Sequence, residues 1–221
     1  AKIQLFQGDF WITKKGFVLL QWNSDQLDEL HHEVWRKIKV DANVTRWDFS
    51  NPNSLVYAEF GGEKSAEYYN YFKGSDKSKW VSKIKKYAVC RLRNVWNGVD
   101  LQIETTPTGI KYNWITTIRH LSDIQMVVNG SKVLKLGSKS IQLSNPVSIF
   151  TDKIPQSFVK SNSAWESFNV EFQLNHLQDD FEQIKYSCAS QDYALEDSII
   201  IDPYLVFSTF SGSRADNFGC T

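Results

Sequence analysis

Hydrophobic and polar positions alternate with a period of two along much of this chain. The alternation is cleanest at Phe168, Val170, Phe172 and Leu174, with Asn169, Glu171 and Gln173 between them. Successive side chains of a strand face opposite ways, so this segment predicts a strand with one dry and one wet face. Ile124, Met126 and Val128 repeat the pattern. Short runs dense in aromatic and β-branched residues predict further strands at Ile3–Phe6, Phe10–Thr13, Phe17–Trp22, Ser54–Phe60 and Val89–Leu92. Others fall at Leu101–Glu104, Ile110–Thr116, Lys132–Leu136, Ser140–Leu143, Phe181–Cys188, Ile199–Asp202 and Leu205–Phe210. Turn residues punctuate them: Gly8, Lys15-Gly16, Gly61-Gly62, Asn97-Gly98, Pro107 to Gly109, Gly137 and Asn145-Pro146. Asn129-Gly130, set between two apolar runs, predicts a hairpin. Asp202-Pro203 predicts a turn, because the proline ring fixes φ near about −65°.

Two segments break the rhythm. Leu27, Leu30, Val34 and Ile38 lie at helical spacing and predict a helix over Asp25 to Val34, capped by Ser24 or Asp25. Ser75 to Lys83 fits one or two helical turns. No βαβ alternation is present, which argues against a doubly wound α/β enzyme. The expectation is a mainly β, multi-sheet, β-sandwich-like fold with one or two short helices.

Composition agrees with a folded core. Of 221 residues, 42% are hydrophobic and 14% aromatic, both too many for a disordered chain. The 25 basic and 25 acidic residues cancel, so no overall field draws the protein to nucleic acid or to an anionic membrane. The densest basic run, Lys77, Lys79, Lys83, Lys85, Lys86, Arg91 and Arg93, reads as a solvated face whose stems cover apolar surface. No stretch approaches the roughly 20 apolar residues of a membrane-spanning helix. Cys90, Cys188 and Cys220 are too few for a disulfide scaffold. A Cys90–Cys188 bridge and two buried free thiols are both consistent with their placement in strands.

Catalytic constellations are scarce, and the expectation is a protein that is not an enzyme and carries no cofactor or metal. His31 and His32 are adjacent, so on a helix they diverge by about 100° and do not face one ion as two histidines four apart do. Ser211-Gly212-Ser213 lacks the strand-to-helix elbow of a hydrolase. Cys90 alternates away from Arg91 and reads as a core cysteine. The carboxylates Asp179, Asp180 and Glu182, with Asp192, Glu196 and Asp197, are the sole motive for a glycoside hydrolase reading, and a solvated loop explains them as well. The remaining lead is Tyr68, Tyr69, Tyr71 and Phe72, with Trp80 nearby. Consecutive residues of an extended segment cannot all point inward. They form either a contact platform for carbohydrate or protein, or a cluster packed beneath a long loop, and the second is the favoured reading.

The same segment carries a family resemblance. Glu67 to Trp80 (EYYNYFKGSDKSKW) resembles a "YxNYFxGxdxxxW" stretch in the N-terminal β-rich domain of large secreted Bacteroidetes surface proteins, which precedes SBBP-type repeats. Tyr87 to Ile103 is similar to that family's "nvypGIDL" region, and Thr108 to Trp114 to its "g.lkYdf" strand. Ile199 to Leu205 is similar to its "lvIDPtL". Leu205 to Gly219 resembles the opening of an SBBP-type repeat. The chain departs from the pattern at Ile118 to Asp123, where the family has a "PGAD" turn, and at Ile154 to Phe158. The resemblance covers most of the chain from about His31 onward, and the expected organisation is a β-rich module over 1–203, with a candidate sub-boundary near 105–120, followed at 204–221 by the start of a repeat-like or linker segment. It also implies type IX secretion, an extracellular cell-surface location, and a structural or adhesive role that supports adhesion or gliding motility. The implied partners are other domains of a longer polypeptide, surface glycans, or outer-membrane secretion and motility proteins, with no nucleic acid and no direct membrane insertion. A carbohydrate-binding domain is the alternative. Asp197-Ser198-Ile199 fits the short O-glycosylation acceptor pattern of exported Bacteroidetes proteins, which makes Ser198 a candidate modification site.

Overall fold

The computed structural model describes residues 1–221 except 6–7, 28–38, 107–108, 162, 178–180, 189–192 and 208–221, and the side chains of 63–67 and 155. The strands of the first half are β1 (Lys2–Leu5), β2 (Gly8–Thr13), β3 (Gly16–Trp22), β4 (Ala42–Phe49), β5 (Tyr57–Tyr71), β6 (Val81–Trp96) and β7 (Val99–Thr106). Those of the second half are β8 (Gly109–Thr117), β9 (Gln125–Asn129), β10 (Lys132–Gly137), β11 (Ser140–Asn145) and β12 (Ser148–Ser161). The last four are β13 (Ala164–Ser167), β14 (Val170–His176), β15 (Glu182–Cys188) and β16 (Ser198–Phe207). The protein is therefore mainly β, with more than one sheet. A first sheet has the order β1-β2-β3-β4-β9-β15-β14, and a second has β10-β11-β12-β16-β8-β7-β6-β5, with β13 beside β12. Neither sheet closes on itself among the described residues.

One core cluster draws on both sheets. Large rings meet across it: Phe17 on β3 lies 5.5 Å from Tyr112 on β8, Phe49 on β4 lies 5.7 Å from Trp114 on β8, and Trp47 on β4 lies 5.8 Å from Phe150 on β12. Tilted and edge-on rings at such separations are the preferred aromatic arrangements. The alternating segment behaves as its pattern predicts, with Phe168, Val170 and Phe172 buried.

Several turns follow their local chemistry. Asn97-Gly98 closes the β6–β7 hairpin at the pair Trp96↔Val99, with Gly98 at φ +70°. At Asn145-Pro146 the Asn145 side chain accepts the backbone N–H groups of Val147 and Ser148 at 3.0 and 2.9 Å, starting the β11–β12 hairpin.

Three expectations need correction. Asn129-Gly130 does not make a hairpin: β9 belongs to the first sheet and β10 to the second, so this dipeptide carries the chain between sheets. The reason is tertiary. Gly130 sits against β4, where a Cβ would stand 2.0 Å from the Val44 carbonyl oxygen, and Asn43 Nδ2 donates to its carbonyl at 2.9 Å. Asp202-Pro203 does not turn either. β16 runs through it to Phe207, with Leu205 in the core, and the missing proline N–H falls where β12 is irregular, between the pairs Lys153↔Tyr204 and Gln156↔Asp202. A bulge is where a sheet interior tolerates proline. The expected helix begins at residues 24–27, capped by Asn23, whose Oδ1 accepts the Gln26 N–H at 3.2 Å, and not by Ser24 or Asp25. The rest of that segment lies outside the described residues. The second helical expectation is met by a short 3₁₀ turn at Lys77–Lys79, and another occurs at Ile118–Asp123. No helix among the described residues is long and apolar enough to cross a membrane.

Candidate functional site

β5 and β6 outlast the strand that supports them. The last described pair of β6 with β7 is Val89↔Glu104. Beyond it β6 pairs with β5 alone, through Tyr87↔Glu63, Lys85↔Tyr68, Ile84↔Tyr69 and Val81↔Tyr71. The result is a two-stranded ribbon extending from the edge of the second sheet. Such ribbons are marginal alone, and local devices brace this one. Where the register slips between Tyr69 and Tyr71, Lys83 adopts φ 59° and its N–H donates to Asn70 Oδ1 at 3.0 Å, in place of a ladder bond. At the tip, Phe72 and Trp80 pack at 5.3 Å, and Trp80 Nε1 donates to the Gly74 carbonyl at 3.2 Å. Asp76 caps the 3₁₀ turn, accepting from the Ser78 hydroxyl at 2.7 Å and its N–H at 3.0 Å, and these donors hold its carboxyl below the usual range. At the base, Arg93 bridges Glu59 and Asp100, each at 2.7 Å.

The expectation that the aromatic cluster packs beneath a loop is overturned. Tyr68, Tyr69 and Phe72 are exposed at 55%, 45% and 57%, Trp80 at 37%, and only Tyr71 is half-buried. Neighbouring Val81, Ile84 and Tyr87 are exposed too. The ring run has no single-face periodicity because the ribbon is wet on both faces. Between the ribbon and the β1–β2 hairpin lies a groove of about 800 Å³, whose walls include Ile3, Trp11, Tyr69, Tyr71, Ile84 and Tyr87. Three lysine ammoniums lie near rings here: Lys86 at 4.9 Å from Tyr69, Lys2 at 5.6 Å from Trp11, and Lys77 at 5.9 Å from Trp80.

A second constellation is internal, and nothing in the sequence marks it. Asp152 on β12 is buried in the core, where Tyr112 Oη donates to its Oδ2 at 2.5 Å. Trp114 Nε1 donates to Tyr186 Oη at 3.3 Å, and the two tyrosine hydroxyls lie 3.4 Å apart. Burial pushes the Asp152 carboxyl up to about 7, against the Tyr112 hydroxyl and the Lys153 amide, which favour its charged form. Burial, with the neighbouring carboxylate, raises both tyrosines, so they stay neutral donors.

The other sequence candidates separate. Cys90 is buried on β6 and Cys188 half-buried at the end of β15; both are free thiols, so the bridge considered from the sequence is not formed. Burial pushes the Cys90 thiol up. Ser198 is exposed at the start of β16. Glu196 is paired with Arg119, Asp197 accepts the Ala194 N–H, and Glu182 lies 3.6 Å from His176. His31, His32, Asp179, Asp180, Asp192, Ser211 to Ser213 and Cys220 lie outside the described residues. Among the described residues, no three His, Cys, Asp or Glu side chains gather as a metal site.

Fold and surface together define a mainly β, two-sheet module bearing an aromatic ribbon. The chain belongs to the family described as "Domain of unknown function (DUF7948)", whose model matches residues 2–204. No curated protein and no solved structure matches it.

Proposed function

We propose that this protein is a non-catalytic, adhesive module of an exported cell-surface protein, and that the β5–β6 ribbon is its contact surface. The observation that carries the reading is the exposure of Tyr68, Tyr69, Phe72 and Trp80 together on one braced projection. Contiguous exposed apolar surface of this kind marks interaction sites on otherwise well-packed proteins. Tyrosine and tryptophan suit the task, since each offers a large rigid face at low entropic cost. The two facing sheets serve as a sandwich-like body that presents the ribbon. Export and surface residence are supported by the sequence resemblance at Glu67–Trp80 and Ile199–Leu205.

Carbohydrate is a second reading, favoured by the open ring faces beside the groove. The test compares beads coated with the wild-type chain and with a variant carrying Tyr68→Ser, Tyr69→Ser, Phe72→Ser and Trp80→Ser. Retention on bacterial cell surfaces and on a glycan array is measured, with circular dichroism confirming the fold. Retention should fall at least about tenfold in the variant, the equivalent of about 1.4 kcal/mol. Equal retention by the two proteins would overturn the assignment.

A further inference from the structure

We infer that the groove beside the ribbon binds a polyuronate, a chain of sugar rings that each carry a carboxylate; this rests on reading the ribbon as the contact surface. Two of the three ammonium–ring couples, Lys86 with Tyr69 and Lys2 with Trp11, line this groove from its two sides, the ribbon and the β1–β2 hairpin. The third, Lys77 with Trp80, lies at the ribbon tip. Each couple sets a positive charge over one face of an aromatic ring. A uronic acid ring offers the complement within one residue: an apolar C–H face to stack, and a carboxylate a few ångströms from it.

Charge sharpens the choice. From Tyr68 to Ala88 the chain carries Lys73, Lys77, Lys79, Lys83, Lys85 and Lys86 against the single acid Asp76, in a protein of zero formal net charge. Asp76 is occupied by Ser78 and lies 3.5 Å from Lys79. Lys2 is shared with Asp9 at 2.8 Å, and Glu63, Lys64 and Glu67 just before the segment add one net negative charge. The excess remains positive. All six cations from Tyr68 to Ala88 are lysines. A lysine is a mobile point charge that meets a carboxylate without the geometric demand of the planar arginine fork, which suits charges spaced along a flexible polymer. The rings also lean on one another, Tyr69 with Tyr71 at 39° and Phe72 with Trp80 at 54°, so neither pair makes a parallel slot for a nucleobase. The groove volume lies within the range of ligand sites.

The test measures binding of the full chain to polygalacturonate and to its fully methyl-esterified form, with polyglutamate and single-stranded DNA as other polyanions. The acid form should bind, weaken with added salt, and lose at least about tenfold on esterification. Lys86→Gln and Tyr69→Ala should each weaken it about threefold or more, with unchanged circular dichroism. Equal binding of acid and ester, equal binding of polyglutamate or DNA, or no binding of polygalacturonate would overturn the ligand class. The ribbon as contact surface would survive those results if the four-residue serine variant still lost retention on cells, and would fall with them if it did not.

Discussion

Asp152 makes the stability of this protein depend on pH in an unusual direction. Its carboxyl moves from an ordinary 3.8 to about 7 because it is desolvated between the sheets, with no counter-charge in contact among the described residues. Below about pH 4 it is protonated both folded and unfolded, and its contribution is fully favourable. Between about 4 and 7 the unfolded chain has released the proton and the folded chain has not, so stability falls as pH rises. Above about 7 the native state holds a buried carboxylate. At about 1.4 kcal/mol per pH unit, the interval amounts to about 4 kcal/mol, a large share of a typical domain's stability. Asp152→Asn keeps an oxygen for the Tyr112 hydroxyl but cannot ionise. Urea denaturation from pH 4 to 8 should show the difference in unfolding free energy, variant minus wild type, rising by a few kcal/mol and flattening above about pH 7. Subtraction removes the other ion pairs, such as Lys111–Asp202 and Arg93–Asp100, common to both proteins. A difference that is flat with pH, or that falls, would refute the reasoning.

Two further outcomes follow from packing. Gly130→Ala forces a Cβ toward the Val44 carbonyl at φ +79°, and should cost about 2 kcal/mol or more in urea denaturation; a loss below about 0.5 kcal/mol would show that the crossing to β10 can relax. In a Cys220→Ser background, the native mass should show both thiols reduced, and iodoacetamide should label half-buried Cys188 well before buried Cys90; a mass lower by two hydrogens, or reversed order, would contradict the placement.

What the sequence reveals depends on how local the cause is. The alternation at Phe168–Leu174 and the turns at Asn97-Gly98 and Asn145-Pro146 are set by neighbours along the chain, and the structure keeps them. Asn129-Gly130 has the same local signal as a hairpin, but its outcome is decided by β4, more than eighty residues earlier in the chain. Pro203 misleads in the same way: the bulge that accommodates it lies on β12. The candidate site was half legible. The ring-rich run at Tyr68–Phe72 stands out in the sequence, whereas its exposure depends on β7 ending where β5 and β6 continue. The Tyr112–Asp152–Tyr186 cluster was invisible, because it exists only once the two sheets face each other.

Amide hydrogen exchange on the chain bound to bacterial envelope fragments locates the contact surface on the molecule. Protection should appear at residues 68–72 and 80–88 and on the facing β1–β2 hairpin, with the rest of the chain unchanged. Protection confined elsewhere, for example to the smaller pocket around Lys132, His176 and Phe181, with the ribbon exchanging as in the free protein, would contradict the account.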